Sequence, residues 1–270
     1  MTRLCTVDDV KKYVDTIGRW EDSEVQDVID LLNQSGAQIT WENDQTLHIK
    51  GVKYLSGITK AVISDRIVAA TVIAATAITK GHVIIKNFDK KLLASEVDVW
   101  EKSGLNINQI YNDLEIKYKE QLVATEIETS PYPGFHTDIQ PLHVAMMMFA
   151  NNNSIVKETI LDGRFRYCTE LLKMGAKIEI IEGDFKCVNG AQGQIAYIEG
   201  NTKLHGTRVF ATDIRGSASV AISAMAAQGI TYIYNIYQLE RGYHNFVDLF
   251  NSLGVNISKV NVKENILKEN

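Results

Sequence analysis

The sequence is short of the residues that mark most specialised classes of protein. Proline occurs three times in 270 residues and aromatics make up 8%. With 45% hydrophobic residues, that excludes a proline-rich extended chain and a disordered one. Cysteine also occurs three times, as Cys5, Cys168 and Cys187. An odd number at wide spacing builds neither a disulfide framework nor a zinc site, so a reducing cytoplasm is the expected compartment. The longest apolar run, Ile67 to Thr79, spans about 13 residues broken by threonine, too short to cross a membrane. The start, Met1-Thr2-Arg3, has no apolar signal stretch. The net charge of −5 comes without a basic stripe, which argues against nucleic acid as a partner. There is no P-loop, no GxGxxG after a strand and no Ser-His-Asp arrangement. The six histidines lack metal-ligand spacing, so core or surface roles are expected of them rather than metal ligation.

What the chain does have is an internal repeat. An amphipathic helix ending in glycine and then a short strand recurs at Val28–Ile39, Glu96–Ile107, Cys168–Ile178 and Phe246–Ile257. The glycines that end these helices are Gly36, Gly104, Gly175 and Gly254. Their period is about 70 residues, and the last interval is the longest because it carries an insertion around Asp184–Gln194. Val25, Val28, Ile29 and Leu32 form one helical stripe, and Tyr243, Phe246, Val247 and Phe250 repeat its spacing. Ser23 with Gln26 reads as a capping box, and each glycine stands where a left-handed residue ends a helix.

A second signature interleaves with the first. Ser64-Asp65, Thr137-Asp138 and Thr212-Asp213 each open a helix of small residues, followed by β-rich stretches at His82–Asn87, Ser154–Thr159 and Ile230–Ile236. Gln45–Gly51 and Ala196–Gly200 read as strands that lead on to Asp65 and Asp213, with Gly51/Gly57 and Gly200/Gly206 both six apart. The unit is helix, strand, helix, strand, strand, in three copies preceded by the tail of a fourth. Units this small bury both faces only by packing on one another. That predicts mixed α/β layers with Val68–Thr79 and Ser217–Ala227 buried between sheets. Positions 1–18 fit no copy, and the charged tail after Val262 is expected to fray.

Polar residues cluster in four loops at the repeat junctions: Pro131–Asp138, Glu158–Phe165, Thr212–Ser217 and Leu239–Tyr243. For Asp65, Asp138 and Asp213 the simpler reading is helix capping; catalysis is the sharper one for the last two. Arg164, Arg215 and Arg241 are either solvated surface or an anion clamp, since guanidinium matches phosphate and carboxylate geometry. Cys168 lies on an apolar stripe and reads as a buried small hydrophobe. Met146-Met147-Met148 reads as core or interface filler.

In this order and on this repeat, the loops resemble the enolpyruvyl transferase family. Its YPGFPTD stands here as Tyr132–Asp138, with His136 for the usual proline; ETVFENRF as Glu158–Phe165, reading ETILDGRF; MGA as Met174–Ala176; ATDLRASAS as Ala211–Ser219, reading ATDIRGSAS; and IYHIDRGY as Ile236–Tyr243, reading IYQLERGY. The similarity runs from about Glu24 to Val260.

The resemblance implies an α/β fold of repeated βαβαββ units, arranged as an inside-out α/β barrel about a pseudo-threefold axis, with two such domains flanking a cleft. Residues 1–63 would then be a non-matching N-terminus with a remnant of the first domain, and 64–270 the second domain, its last unit incomplete. The implied reaction, at the start of peptidoglycan precursor synthesis, moves the enolpyruvyl group of phosphoenolpyruvate onto the 3-hydroxyl of UDP-N-acetylglucosamine and releases phosphate, without metal or cofactor.

By position, Asp138 matches the carboxylate that takes the hydroxyl proton. Asp138 and the backbone of Ile160 match contacts to the UDP-sugar. Arg215 and Arg241 match the arginines on phosphoenolpyruvate, and Arg164 matches another cleft arginine. Asp213 combines cap and cleft residue. The family's Lys-Asn pair and its mobile loop with a proton-donating cysteine before Arg-Pro have no counterpart, so the chain reads as a truncated or split form, inactive alone and completed by a separate chain. A non-catalytic relic that binds nucleotide sugar or a partner is the alternative. The sister activity on shikimate 3-phosphate is disfavoured by the UDP-sugar-type loops. Gln45–Ile63 is expected to pair near Asn256–Val262 and so close the domain.

Overall fold

The computed structural model describes residues 23–43 and 46–260; Cys5 with the rest of positions 1–18, Gln45 and the tail after Val262 lie outside that range. The chain opens with α1 (Ser23–Gln34) and a hairpin of β1 (Gln38–Asn43) and β2 (Thr46–Lys50). Loop 51–65 leads to α2 (Arg66–Ile78), β3 (His82–Ile85), α3 (Ala94–Lys102), β4 (Leu105–Ile110) and β5 (Asp113–Tyr118). Next come β6 (Glu126–Glu128), α4 (Gln140–Met147), β7 (Ser154–Glu158), α5 (Cys168–Lys173), β8 (Ile178–Lys186) and β9 (Gln192–Ile198). Last are β10 (Arg208–Phe210), α6 (Ile214–Ala224), β11 (Tyr232–Tyr234), α7 (Tyr237–Glu240) and α8 (Phe246–Ser252).

The middle unit is a complete βαβαββ. Its sheet runs β6-β7-β9-β8, with β6 and β7 parallel and the other pairs antiparallel. The units on either side are less complete among the described residues. The one before has the order β3-β5-β4, with no strand beside β3 in the place that β6 takes beside β7. The last has only the parallel pair β10-β11, with no hairpin beside β11. Among the described residues no sheet closes on itself, so the expected barrel closure is not seen. The insertion at Asp184–Gln194 lengthens the β8–β9 hairpin.

Helices α2, α4 and α6 pack on one another at the centre, with sheets outside them. Their composition explains the arrangement. Alanines, glycine and serines let backbones approach, while Ile73, Leu142 and Ile222 are fully buried, each such side chain contributing about 1.5–3 kcal/mol. Thr71 and Thr76 are tolerated there because each hydroxyl donates to the carbonyl one turn back, at 2.8 and 2.7 Å. Met146, Met147 and Met148 are all buried, as filler in this core. Buried His143 accepts from Trp100 Nε1 at Nδ1 and so presents Nε2–H to the Thr125 hydroxyl. Burial pushes its pKa down to about 3, keeping it neutral.

The repeat is visible atom by atom. Gly36, Gly104, Gly175 and Gly254 all have φ between 92° and 102°, the left-handed conformation that ends a helix. In the first and last copies the same clip follows. Asn33 exchanges two hydrogen bonds with the backbone of Ile39, and Asn251 does the same with Ile257. Phe246 and Phe250 of α8 are buried, and so is Tyr243, although a left-handed Asn245 starts the helix after it and leaves Tyr243 in the preceding turn.

Three expectations fail in the N-terminal part. Ser23 and Gln26 form no capping box: Ser23 Oγ binds the Glu24 carboxylate, and Gln26 binds Asp30 and Trp41. Of the stripe on α1 only Ile29 is buried, and Val28 is 52% exposed, because the helix packs mainly on its own hairpin. That hairpin does not close the domain. Thr46–Lys50 pairs with Gln38–Asn43, and 256–260 joins no strand. The near-copy glycines differ for the same reason. A Cβ at Gly200 would run into the backbone oxygens of Ala150 and Asn152, and one at Gly206 into the backbone of Ile230, whereas Gly51 and Gly57 have nothing within 4 Å.

Candidate functional site

The site forms where the N-terminal ends of the three central helices converge. Asp65 caps α2, accepting from the amides of Ile67 and Val68 at 2.9 and 3.0 Å. Asp213 caps α6, accepting from Arg215 and Gly216 at 3.1 and 3.0 Å. Asp138 occupies the same repeat position but caps nothing. The residue before α4 is Ile139, with no side-chain cap, so the capping reading fails for Asp138 alone. Spared this local duty, the half-buried carboxylate meets groups from other junctions.

Two arginines meet it. Arg164 Nη2 contacts Asp138 Oδ1, and Arg215 Nε lies 3.2 Å from Oδ2. Arg164 Nε also donates to the Thr137 carbonyl at 3.2 Å. Arg215 lies over the Tyr243 ring at 5.8 Å, and the Tyr243 hydroxyl is 2.9 Å from that of Thr71. Burial opposes the charge on Asp138, but Arg164, then Arg215 and His136, outweigh it and hold the carboxyl below its ordinary range. Two guanidiniums share one carboxylate at converging helix N-termini, which gathers groups suited to binding an anion.

His136 joins the cluster to α2. Its Nδ1 accepts from the Asp138 amide at 3.2 Å, and Nε2 lies 3.2 Å from Arg66 Nη2. Arg66 is buried and paired with Glu24 of α1 at 2.7 Å. Ile160 sits in the adjoining loop with its amide donated to Glu158 at 3.0 Å, so its carbonyl is the backbone group left for a ligand. Arg241 stands apart at the end of α7, exposed and bonded to Gln238 at 3.1 Å. The structure thus joins Asp138, Arg164 and Arg215, sets Asp213 beside them as a cap, and leaves Arg241 outside the contact. Residue reading misses Arg66, Tyr243 and Glu158 as parts of the site. Arg66 stands next to Asp65 much as Arg215 stands close after Asp213, and that near-repetition is the available signal. No cluster of acidic, histidine or cysteine side chains suited to a metal occurs among the described residues, and none of their helices is long and apolar enough to cross a membrane.

The family model described as EPSP synthase (3-phosphoshikimate 1-carboxyvinyltransferase) matches residues 13–250. The chain belongs to this enolpyruvyl transferase family. It is 36% identical over 238 residues to UDP-N-acetylglucosamine 1-carboxyvinyltransferase of Pelagibacter ubique, covering 88% of this chain and 54% of that protein. It is 31% identical over 251 residues to UDP-N-acetylglucosamine 1-carboxyvinyltransferase 1 of Staphylococcus epidermidis, covering 93% and 56%. The enolpyruvyl transferase NikO from Streptomyces tendae shares the fold with a TM-score of 0.74 at 23% identity, over 86% of this chain and 53% of that one. EPSP synthase from Acinetobacter baumannii does so with a TM-score of 0.62 at 18% identity, over 85% and 54%. The chain therefore spans about half the length of these enolpyruvyl transferases.

Proposed function

We propose that this chain supplies one wall of an enolpyruvyl transferase active site that joins phosphoenolpyruvate to UDP-N-acetylglucosamine, a step of peptidoglycan synthesis. The observation that carries this reading is Asp138, released from capping and held ionised between Arg164 and Arg215. Asp138 takes the proton of the sugar 3-hydroxyl as that oxygen attacks C2 of phosphoenolpyruvate while an acid on the opposite wall protonates C3, and loss of a C3 proton together with phosphate then restores the double bond. Arg215 and Arg241 hold the charged groups of phosphoenolpyruvate, and elimination releases phosphate. Preorganised charges of this kind contribute about 3–4 kcal/mol each in a closed site. Asp138, Ile160, Arg164 and Asp213 line the sugar side. We take 64–270 as the domain that carries this wall and 1–63 as a remnant of its partner domain. The opposite wall comes from further polypeptide, because these 270 residues hold no cysteine ahead of an Arg-Pro pair.

Calorimetry on the purified chain tests the reading: UDP-N-acetylglucosamine binds, and Asp138→Ala weakens binding. The chain alone releases no phosphate from the two substrates. With the complementary half of a homologous enzyme added, it does, and Asp138→Ala abolishes the release. Binding of shikimate 3-phosphate in place of the UDP-sugar, or retained turnover in Asp138→Ala, would overturn it. UDP-sugar binding with no turnover in any reconstitution would favour a binding relic.

A further inference from the structure

We propose that Glu158 is a positioning residue of this site: its buried carboxylate ties the loop that carries Asp138 to the loop that carries Arg164, and so sets the contact between them. The proposal rests on the functional reading above for its purpose, though not for its geometry. Glu158 ends β7, fully buried, beside the parallel strand β6. The loop after β6 leads to Asp138, and the loop after β7 leads to Arg164. Four donors converge on one oxygen, Oε1: the hydroxyls of Thr129 and Thr137, each at 3.0 Å, and the amides of Ile160 and Leu161 at 3.0 and 3.1 Å. Two of these come from each loop. The other oxygen, Oε2, is buried with no hydrogen-bond partner among the described residues.

That arrangement is costly for a residue that only fills space. A buried carboxylate lowers stability unless its oxygens are satisfied, and an apolar replacement in such places is often neutral or better. What the carboxylate provides instead is geometry. A carboxylate oxygen draws several donors together more strongly than a neutral amide oxygen does, because hydrogen bonds to a charged acceptor are the stronger ones. The network then closes a ring: Glu158 holds the Thr137 hydroxyl, Arg164 Nε holds the Thr137 carbonyl, and Arg164 Nη2 holds Asp138. Thr129 and Thr159 stitch the same loops a second time through their hydroxyls and backbone. Thr137, adjacent to Asp138, is therefore fixed on both its side chain and its backbone.

The test reads Asp138 itself, with no ligand. Carbon-detected NMR follows the titration of the Asp138 carboxyl in the full chain, facing Arg164, Arg215 and His136, while melting curves report stability. Thr137→Val, which keeps the shape and removes the hydroxyl, raises the Asp138 midpoint toward the ordinary carboxyl range, and Thr137→Ser restores it. Glu158→Gln raises the midpoint as well and also lowers the melting temperature. Melting temperatures that fall while the Asp138 midpoint stays put in both Thr137→Val and Glu158→Gln would overturn the proposal and leave Glu158 a core residue. Because no substrate enters these measurements, failure of the wild-type chain to bind UDP-N-acetylglucosamine would count against the proposed function and not against this tie.

Discussion

Asp138→Asn isolates the charge that organises the site. The asparagine keeps the shape of the side chain but leaves Arg164 and Arg215, 14% and 22% exposed, without their shared counter-charge. Breaking a fully buried pair costs about 3–5 kcal/mol, and an exposed one about 0–1 kcal/mol. With Asp138 itself 31% exposed, the loss belongs between these ranges, at about 1.5–3 kcal/mol. For a chain of this size, at about 2 °C per kcal/mol, that is a fall in melting temperature of about 3–6 °C. The pH dependence identifies the cause. Asp138 has its folded pKa below the unfolded value of about 3.8, so its contribution is complete above the unfolded pKa and disappears as pH falls through the folded one. The gap between wild type and Asp138→Asn should therefore be constant from about pH 5 to 8 and shrink below about pH 4. Urea unfolding of both proteins at pH 7 and pH 3.5 measures it. A gap under about 0.5 kcal/mol at neutral pH, the size of an ordinary surface substitution, would refute the assignment of Asp138 as an ionised, paired carboxylate. So would a gap that persists unchanged at acid pH.

Two further outcomes follow from the packing. Gly200→Ala and Gly206→Ala should each cost about 1–3 kcal/mol by urea unfolding, because a new Cβ meets neighbouring backbone, while Gly51→Ala and Gly57→Ala should stay within about 0.5 kcal/mol; equal effects in both pairs would contradict the assigned surroundings. Burial pushes the Cys168 thiol up to about 12, so native protein at pH 8 should leave it unmodified by a maleimide in peptide mass spectrometry and unfolded protein should not; rapid native labelling would show that its surroundings open.

The repeat is legible because it is written in local chemistry. Left-handed glycines and small-residue helices depend on neighbours a turn away, and both recur in the structure. The same locality misleads at three places. Ser23 and Gln26 have the spacing of a capping box, but Gln26 serves Trp41, 15 residues on, which no short-range pattern encodes. Asp138 looks like Asp65 and Asp213 in sequence. What separates it is tertiary: Arg164 and Arg215 arrive from other junctions, 26 and 77 residues away. The glycines after Thr46–Lys50 copy Gly200 and Gly206, which points that hairpin at the chain end. The copy extends to residue type but not to the segments that crowd those glycines. Glu158 is visible only as the first letter of a motif, since its four donors lie on two loops that meet only when β6 and β7 pair.

The pairing of Asp138 bears on how the proposed base would be activated. A carboxylate held below its ordinary pKa by two arginines is a weak proton acceptor. In the structure it is also the group that neutralises those arginines. On the proposed reading, the anionic substrate binds to the same guanidiniums. Arrival of a phosphate or carboxylate at Arg215 would shift that cation toward the ligand and leave Asp138 with less compensating charge, closer to an anion. Both changes raise its proton affinity at the moment the sugar hydroxyl is in place. The ligand-free ion pair and the active base are then two states of one cluster, exchanged by substrate charge. On that reading the two arginines hold Asp138 ionised until the substrate arrives, and Glu158, through Thr137, would hold it in position while its partners change.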